Sequence, residues 1–265
     1  MSRPDLMARI GWLVIAAVVA LAYLNGLDAP FVYDDRIEVV GNRTIRDLGE
    51  WQAIAQYNVS RMLLVWTYAW NFHSFELSPT GYHVFSLVVH LLAIGAGIGM
   101  ARALGRLGGH TFPLLAAVGA TGLWAVHPMG VEAVTYITGR SESLCGLFCF
   151  SAMGLWASAL AAEREGGTGR WARILGLVCT LAALMTKEVA GMLPLVLVAM
   201  EIFFGPAERT WLKRPRWGWL APFLILMAAA AWGRMAYAGE LLPREVDRSL
   251  PVQLTTQTEV WLRYV

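Results

Sequence analysis

Long apolar runs separated by short polar segments make up most of this chain. About 20 consecutive apolar residues are needed for a helix to cross the hydrocarbon core of a bilayer. The pattern therefore predicts an all-α, polytopic transmembrane helix bundle, with residues 1–265 as one domain of about seven complete spans and a truncated eighth. The apolar runs are Ile10–Leu24, 82–103, 112–127, 142–162, 172–186, 189–205, 217–238 and one that begins near Val260.

The first run has a second interpretation, as a secretory signal peptide, since Arg3 and Arg9 precede its apolar stretch. The Ala-Tyr-Leu-Asn-Gly segment at its end is a poor cleavage site. Because seven more apolar segments follow, an uncleaved first helix is the favoured interpretation. The last run stops at Val265 in mid-span, so the chain is expected to be part of a longer protein.

Composition agrees with the membrane prediction and excludes one class of partner. Apolar residues make up 57% of the chain and charged residues 15%, against about 25% charged in soluble domains. A net charge of +2 without a separate basic stripe argues against nucleic-acid binding. The three cysteines lie inside predicted spans, where small buried side chains are favoured over metal ligands: Cys145, Cys149 and Cys179.

The distribution of charge along the chain predicts its orientation. If the N-terminus is cytoplasmic, 11 of the 21 Lys and Arg residues fall in the cytoplasmic segments, which hold only four acids, Asp5, Glu163, Glu165 and Glu208. This bias is consistent with the positive-inside rule. The loop 28–80 then lies on the outer face. It holds seven of the 19 acids: Asp28, Asp34, Asp35, Glu38, Asp47, Glu50 and Glu76.

This first outer loop is much longer than a simple connector. It contains amphipathic stretches around Trp51 and between Met62 and Trp70. Helices with tryptophan anchors of this kind lie in the plane of the membrane interface. We therefore predict that the loop carries interfacial helices and folds over the membrane surface.

The first candidate for chemistry is Phe31-Val-Tyr-Asp34-Asp35-Arg36, directly after the first span. Burial and mutual repulsion at the membrane face can both raise the pKa of a carboxyl, which suits a general base. The alternative is a solvated acidic loop that only caps a helix. We take Asp34 and Asp35 as the candidate catalytic residues.

The second candidate joins the third and fourth predicted spans. It contains His127, Glu132, Tyr136 and Arg140. The last three are spaced by four, so one helix would place them on one face, where they could bind sugar hydroxyls and a phosphate. The alternative is an intrahelical pair between Glu132 and Arg140 that binds no ligand.

The third candidate is Met185-Thr-Lys187-Glu188, between two short apolar stretches. Ionisable residues near the membrane interior are costly and often functional, so Lys187 could neutralise a lipid-linked phosphate. The alternative is a self-satisfied Lys187–Glu188 pair at a helix turn. Arg61, in the late first loop, is a further candidate for binding the donor, with interfacial snorkelling as its alternative.

Taken in order, these motifs resemble the bacterial relatives of the transmembrane-and-TPR O-mannosyltransferases, within the C-class (GT-C) glycosyltransferases. The resemblance covers nearly the whole chain, and its specificity comes from the combined order and spacing. The motifs are Phe-Val-Tyr-Asp34-Asp35, Gly81-Tyr82-His83 with His90, His127-Pro-x-x-x-Glu132-Ala-Val, Gly139-Arg140-x-Glu142-x-Leu144 and Thr186-Lys187-Glu188, followed by Leu254–Gln257 and Trp261–Tyr264.

The resemblance implies an inverting hexosyltransferase with GT-C-like architecture. Such enzymes move a sugar from a polyprenyl-phosphate donor to an acceptor, here a protein hydroxyl or a glycan, on the outer side of the membrane. It implies a bacterial inner membrane, a periplasmic or extracellular active-site loop, and Asp34 as the base supported by Asp35. Relatives usually continue into a C-terminal TPR domain, which is expected to be missing from this chain. Where the family often has Arg-Pro, this chain has Arg61-Met62, which leaves the local turn open.

Other function classes remain open from the sequence. The chain could be a non-catalytic membrane subunit of a larger complex with membrane partners and lipids. A transporter is less favoured, because the charges cluster at one face instead of the bilayer midplane. No metal site is predicted, although two adjacent aspartates leave a divalent cofactor open.

Overall fold

A computed structural model describes residues 3–109, 114–205, 217–221, 224–225, 228 and 250–264. Within these ranges the chain is helical and contains no strand, which confirms the all-α prediction. The chain divides into two compact units, Met1–Leu220 and Ala221–Val265. Most of the predicted span 217–238 lies outside the described residues.

The helices of the first unit alternate with short turns that carry the sequence motifs. In chain order they are α1 Arg3–Tyr23, α2 Trp51–Tyr57, α3 Met62–Phe75, α4 Pro79–Leu107, α5 Leu114–Ala125, α6 Glu132–Thr135, α7 Arg140–Arg164, α8 Arg170–Leu184 and α9 Leu193–Phe204. The second unit contains α10, Leu250–Tyr264.

Helices α4 and α7 form the centre of the first unit. Among the described residues, these two are long and apolar enough to cross a membrane. They pack closely, because a Cβ atom on Gly154 of α7 would lie 3.0 Å from the Met100 Cα of α4, and small residues permit such approaches between membrane helices. The segments Ile10–Gly26 and Ala116–Ala125 form shorter apolar helices.

The loop 28–80 that follows the first helix is folded, as the sequence predicts. Its two amphipathic stretches form α2 and α3. Ile54 and Tyr68 from these helices join one buried cluster with Tyr82 of α4 and Ile137. The loop is therefore packed on the N-terminal ends of α4 and α7 and holds its polar residues beside them.

A buried ion network ties α7, α8 and α9 together near the other end of α7. The Arg173 guanidinium, 1% exposed, donates to the Glu163 carboxylate at 3.1 Å and also pairs with Glu201. The Trp156 indole donates to Glu201 as well, at 3.0 Å. Removing one member of such a network leaves an uncompensated buried charge, so the network fixes the helices that carry the motifs at their opposite ends.

Candidate active site

The two adjacent aspartates of the first motif are in different environments. Asp35 is 1% exposed, and its carboxylate accepts the backbone N–H of Val32 at 3.2 Å and of Thr138 at 2.9 Å. The Asp34 side chain is exposed, and no hydrogen bond from the described residues occupies its carboxylate. Asp35 therefore holds the motif in place, and Asp34 is accessible to a substrate.

An unusual backbone conformation presents Asp34. Tyr33 has a φ of 44°, in the left-handed region that non-glycine residues rarely adopt. A helical turn follows at once, in which the N–H groups of Ile37 and Glu38 donate to the Asp34 carbonyl at 3.0 and 2.7 Å. Strain of this kind is common at functional sites, and here it lies directly before the candidate base.

The second motif reaches the first through Tyr136. Its hydroxyl accepts the Asp34 backbone N–H at 3.0 Å, and its ring meets the Tyr33 ring edge-on with centroids 6.4 Å apart. Together with the bond from Thr138 to Asp35, this contact joins segments about a hundred residues apart in sequence. The structure thus brings two of the three predicted motifs together.

The prediction that Glu132, Tyr136 and Arg140 lie on one helix face is wrong. Helix α6 ends at Thr135, Tyr136 is extended, and α7 begins only at Arg140. The physical reason is a tight turn at Gly139, where a Cβ atom would lie 2.2 Å from the Glu132 carbonyl oxygen. The helix is interrupted by the extended residue Tyr136 and the turn 137–139. Glu132 is left exposed, as is His127.

Arg140 lies inside the protein instead of on its surface. Its guanidinium is fully buried and donates to Ser86 Oγ at 3.0 Å, to Thr67 Oγ1 at 3.2 Å and to the Tyr82 carbonyl at 2.8 Å. These bonds connect α3, α4 and α7 beneath the site. Binding of a donor phosphate by Arg140 stays a prediction, and the structure gives this residue a positioning role in the scaffold.

The third motif meets the first outer loop. Arg61 pairs with the Glu188 carboxylate at 2.9 Å, Ser60 Oγ donates to the same carboxylate at 3.1 Å, and the Leu63 N–H donates to the Met185 carbonyl at 3.0 Å. Glu188 therefore pairs with Arg61 across the fold and not with its neighbour Lys187.

Lys187 instead pairs with Glu142 in the first turn of α7. This ion pair joins the second and third motifs, so all three are linked at one end of the bundle. Sequence reasoning did not select Glu142 as a site residue. The only signal for it was its place in the Gly139-Arg140-x-Glu142 motif.

Charge interactions shift the pKa of two carboxyls in this region. Burial acts to raise the pKa of Glu188, but the hydrogen bonds and charge of Arg61, together with Ser60, lower it to about 2. The pKa of Glu38 is raised, mainly by burial and further by the Asp34 charge, against an opposing effect of Arg61. Sequence reasoning missed Glu38 as well, although its position four residues after Asp34 was a signal.

The assembled site combines an exposed carboxylate with two cations. Asp34 is available as a base, and Arg61 and Lys187 supply positive charge in pairs that keep partial exposure, with 38% and 23% of each side chain accessible. Within the described part of the chain, no three His, Cys, Asp or Glu side chains group as a metal site. The arrangement can activate a hydroxyl and stabilise an anion.

The sequence of this chain is similar to several proteins named as O-mannosyl-transferases. The chain is 31% identical over 205 residues to "Protein O-mannosyl-transferase Tmtc1" of Drosophila melanogaster, which covers 72% of this chain and 22% of the relative. It is 27% identical to "Protein O-mannosyl-transferase TMTC4" of Homo sapiens, over 66% of this chain and 27% of the relative. The protein "F38B6.6" of Caenorhabditis elegans, also named an O-mannosyl-transferase, is 31% identical over 53% of this chain.

No family profile and no solved structure matches the chain. The chain spans about a quarter or less of the length of these curated relatives. The aligned regions cover about half to 70% of this chain. These similarities support a relationship between this chain and the Tmtc-type protein O-mannosyl-transferases.

Proposed function

We propose that this chain is the membrane-embedded catalytic part of an inverting C-class glycosyltransferase. It transfers a hexose, with mannose as the first candidate, from a polyprenyl-phosphate donor to a protein hydroxyl on the outer face of the membrane. The observation that carries the proposal is the linkage of three distant motifs at one end of the bundle: the exposed Asp34 is bonded through its backbone to Tyr136, and Lys187 and Arg61 pair with Glu142 and Glu188. The names of the relatives point to the same reaction class.

In the proposed reaction, Asp34 removes the proton from the acceptor hydroxyl as the oxygen attacks the anomeric carbon of the sugar. The bond from that carbon to the phosphate oxygen breaks, and the electron pair leaves with the polyprenyl phosphate. The configuration at the anomeric carbon inverts. A positioned general base typically contributes about 10²–10⁴-fold to the rate.

Arg61 and Lys187 would stabilise the charge that develops on the leaving phosphate. Both cations are held by carboxylates, Glu188 and Glu142, so they are already oriented before the donor enters. Cations held in place by the protein require little reorganisation during the reaction. Tyr136, next to Asp34, is a candidate contact to sugar hydroxyls, as are the exposed His127 and Glu132.

The proposed membrane arrangement is a polytopic bundle of about seven complete spans and a truncated eighth in a bacterial inner membrane, with a cytoplasmic N-terminus and a periplasmic active site. Three observations support the bundle and its orientation. The N-terminal ends of α4 and α7 and the turn after α8 carry the linked motifs. Helices α4 and α7 are long enough to cross a bilayer. The predicted cytoplasmic segments hold more basic than acidic residues. A lipid-linked donor would enter laterally from the membrane.

A second candidate is a non-catalytic membrane subunit of a larger complex. The observation that favours it is the pairing of both candidate phosphate ligands with carboxylates, which satisfies their charge without a donor. The chain also covers only 22% of the first relative, so the activity of the longer protein can depend on further parts.

The test is transfer of radiolabelled sugar from polyprenyl-phosphate donors to serine- and threonine-containing acceptor peptides by the purified protein. Asp34→Asn is compared with wild type, and Glu50→Gln, an exposed acid of the same loop, is the matched control. The proposal expects transfer by wild type and the control and at least a hundredfold loss in Asp34→Asn, within the range for a general base. Equal transfer in all three would remove Asp34 from the mechanism, and no transfer by wild type with any donor would favour the non-catalytic subunit.

A further inference from the structure

Glu38 is the next acidic residue in the chain after the adjacent pair Asp34 and Asp35. It lies in the π-helical turn Arg36–Val40, and its backbone N–H donates to the Asp34 carbonyl at 2.7 Å. The side chain is half-buried. This turn is anchored, because Arg46 donates to the carbonyls of Val39 and Val40 at 3.2 and 2.6 Å, so the Glu38 backbone has a fixed place beside the candidate base.

Most other acids of the site are occupied by protein donors. Asp35 accepts two backbone N–H groups, Glu188 binds Arg61 and Ser60, and Glu142 binds Lys187. No described residue donates a hydrogen bond to the Glu38 carboxylate. The Glu38 oxygens are also absent from the buried atoms that lack a partner, so they are open to donors from outside the protein, such as the hydroxyl groups of a ligand.

Four titratable groups face Glu38 from the elements packed around it. They are Asp34 on its own turn, Tyr57 of α2, Arg61 in the turn before α3, and Tyr68 of α3. The Tyr68 hydroxyl is buried and has no hydrogen-bond partner within the described residues. The two groups differ in access: the Tyr68 hydroxyl is buried, whereas the Glu38 side chain is partly exposed.

The geometry of the proposed transfer indicates which part of the substrate would lie near Glu38. In a displacement with inversion, the acceptor oxygen and the leaving phosphate oxygen are on opposite sides of the anomeric carbon. The transferred sugar therefore lies between the base and the cations that bind the phosphate. The Glu38 backbone is bonded to the Asp34 carbonyl, and the charges of both Asp34 and Arg61 act on the Glu38 carboxyl, so Glu38 belongs to the same region as the base and one of the cations.

We propose that Glu38 binds hydroxyl groups of the transferred sugar and helps to determine which hexose is accepted. This inference rests on the proposed glycosyltransferase function and adds the residue that recognises the sugar. Two carboxylate oxygens can accept hydrogen bonds from neighbouring hydroxyls. Hydrogen bonds to a charged acceptor are among the strong ones, and a site built around them discriminates against sugars that lack the hydroxyl.

The experiment compares polyprenyl-phosphate mannose with its 3-deoxy, 4-deoxy and 6-deoxy analogues as donors. Transfer is measured as kcat/KM for wild type, Glu38→Ala and the control Glu50→Ala. We expect wild type and the control to prefer mannose over at least one analogue by roughly tenfold to a hundredfold, the effect of one hydrogen bond to a charged group. In Glu38→Ala the preference over that same analogue falls to less than about threefold, because the missing hydroxyl has lost its partner.

A structural role for Glu38 would give a different pattern. Glu38→Ala would then slow all four donors by one common factor and keep the wild-type preference, which would overturn the inference while leaving the glycosyltransferase proposal intact. If wild type transfers sugar from none of the donors, both the Glu38 inference and the glycosyltransferase proposal are refuted. Thermal unfolding identifies a variant that does not fold, and in that case Glu38→Gln, which preserves size, replaces it with the same two outcomes.

Discussion

Asp34 and Asp35 are neighbours in sequence, but their mutation is expected to have different effects: loss of stability for Asp35 and loss of activity at unchanged stability for Asp34. Asp35→Ala removes the acceptor of two backbone N–H groups, from Val32 and Thr138, in a place that is 1% exposed. A hydrogen bond to a charged group contributes about 1.5–3 kcal/mol. Because the Val32 bond is long at 3.2 Å, we expect a total loss of about 3 kcal/mol in the free energy of unfolding.

This loss is large enough to measure. For a chain of this size, 1 kcal/mol changes Tm by about 2–4 °C, so Asp35→Ala is expected to lower Tm by roughly 6–12 °C. Asp34→Asn changes an exposed side chain and is expected to change stability by less than about 0.5 kcal/mol. Thermal unfolding of wild type and both variants in one detergent, followed by tryptophan fluorescence, gives the comparison.

Transfer activity provides a second comparison of the Asp34 and Asp35 variants. Asp35→Ala should also lose transfer activity, because the bond to Thr138 connects the Asp34 turn to the second motif. Asp34→Asn should lose activity at unchanged Tm. An unchanged Tm in Asp35→Ala, or a loss of stability in Asp34→Asn as large as in Asp35→Ala, would refute the separation of the two roles.

Three further predictions concern the scaffold of the site. Gly139→Ala should lower Tm and activity together, since its Cβ would lie 2.2 Å from the Glu132 carbonyl oxygen; full stability would contradict the tight turn. Arg140→Met should destabilise the protein by about 3 kcal/mol in chemical unfolding, because three acceptors on the two helices α3 and α4 lose their donor; a neutral effect would contradict the buried role. The pKa of Glu188 is lowered to about 2, so its pair with Arg61 should contribute stability above about pH 4.5 that is lost as the pH falls towards 2. Screening keeps this contribution below about 1 kcal/mol; Glu188→Gln should remove that part of the pH dependence, and an unchanged pH profile would contradict it.

The sequence was sufficient to predict the helical class and the folded first loop. Apolar runs of spanning length gave α4 and α7, and the tryptophan-rich amphipathic stretches gave α2 and α3. Local periodicity determines these elements, because a helix places its apolar residues on one face by spacing alone. The order of the three motifs also predicted that they would serve one site, and the structure links them.

Ion pairs between residues far apart in the chain could not be predicted from the sequence. Lys187 binds Glu142, 45 residues away, and Arg61 binds Glu188, 127 residues away, although the adjacent Lys187–Glu188 pair was the simpler expectation. Spacing by four also gave the wrong helix for 132–140, because Gly139 permits a turn whose close contact is visible only in three dimensions. The different burial of Asp34 and Asp35 depends on the partner Thr138, a hundred residues further on.

The most direct measurement is the stereochemistry and rate of mannose transfer from polyprenyl-phosphate mannose to an acceptor peptide in membranes reconstituted with the purified protein. Wild type should form a glycopeptide whose anomeric configuration, determined by NMR, is opposite to that of the donor, and Asp34→Asn should form it at least about a hundredfold more slowly. A product with retained configuration, or equal rates in wild type and Asp34→Asn, would contradict direct displacement assisted by Asp34.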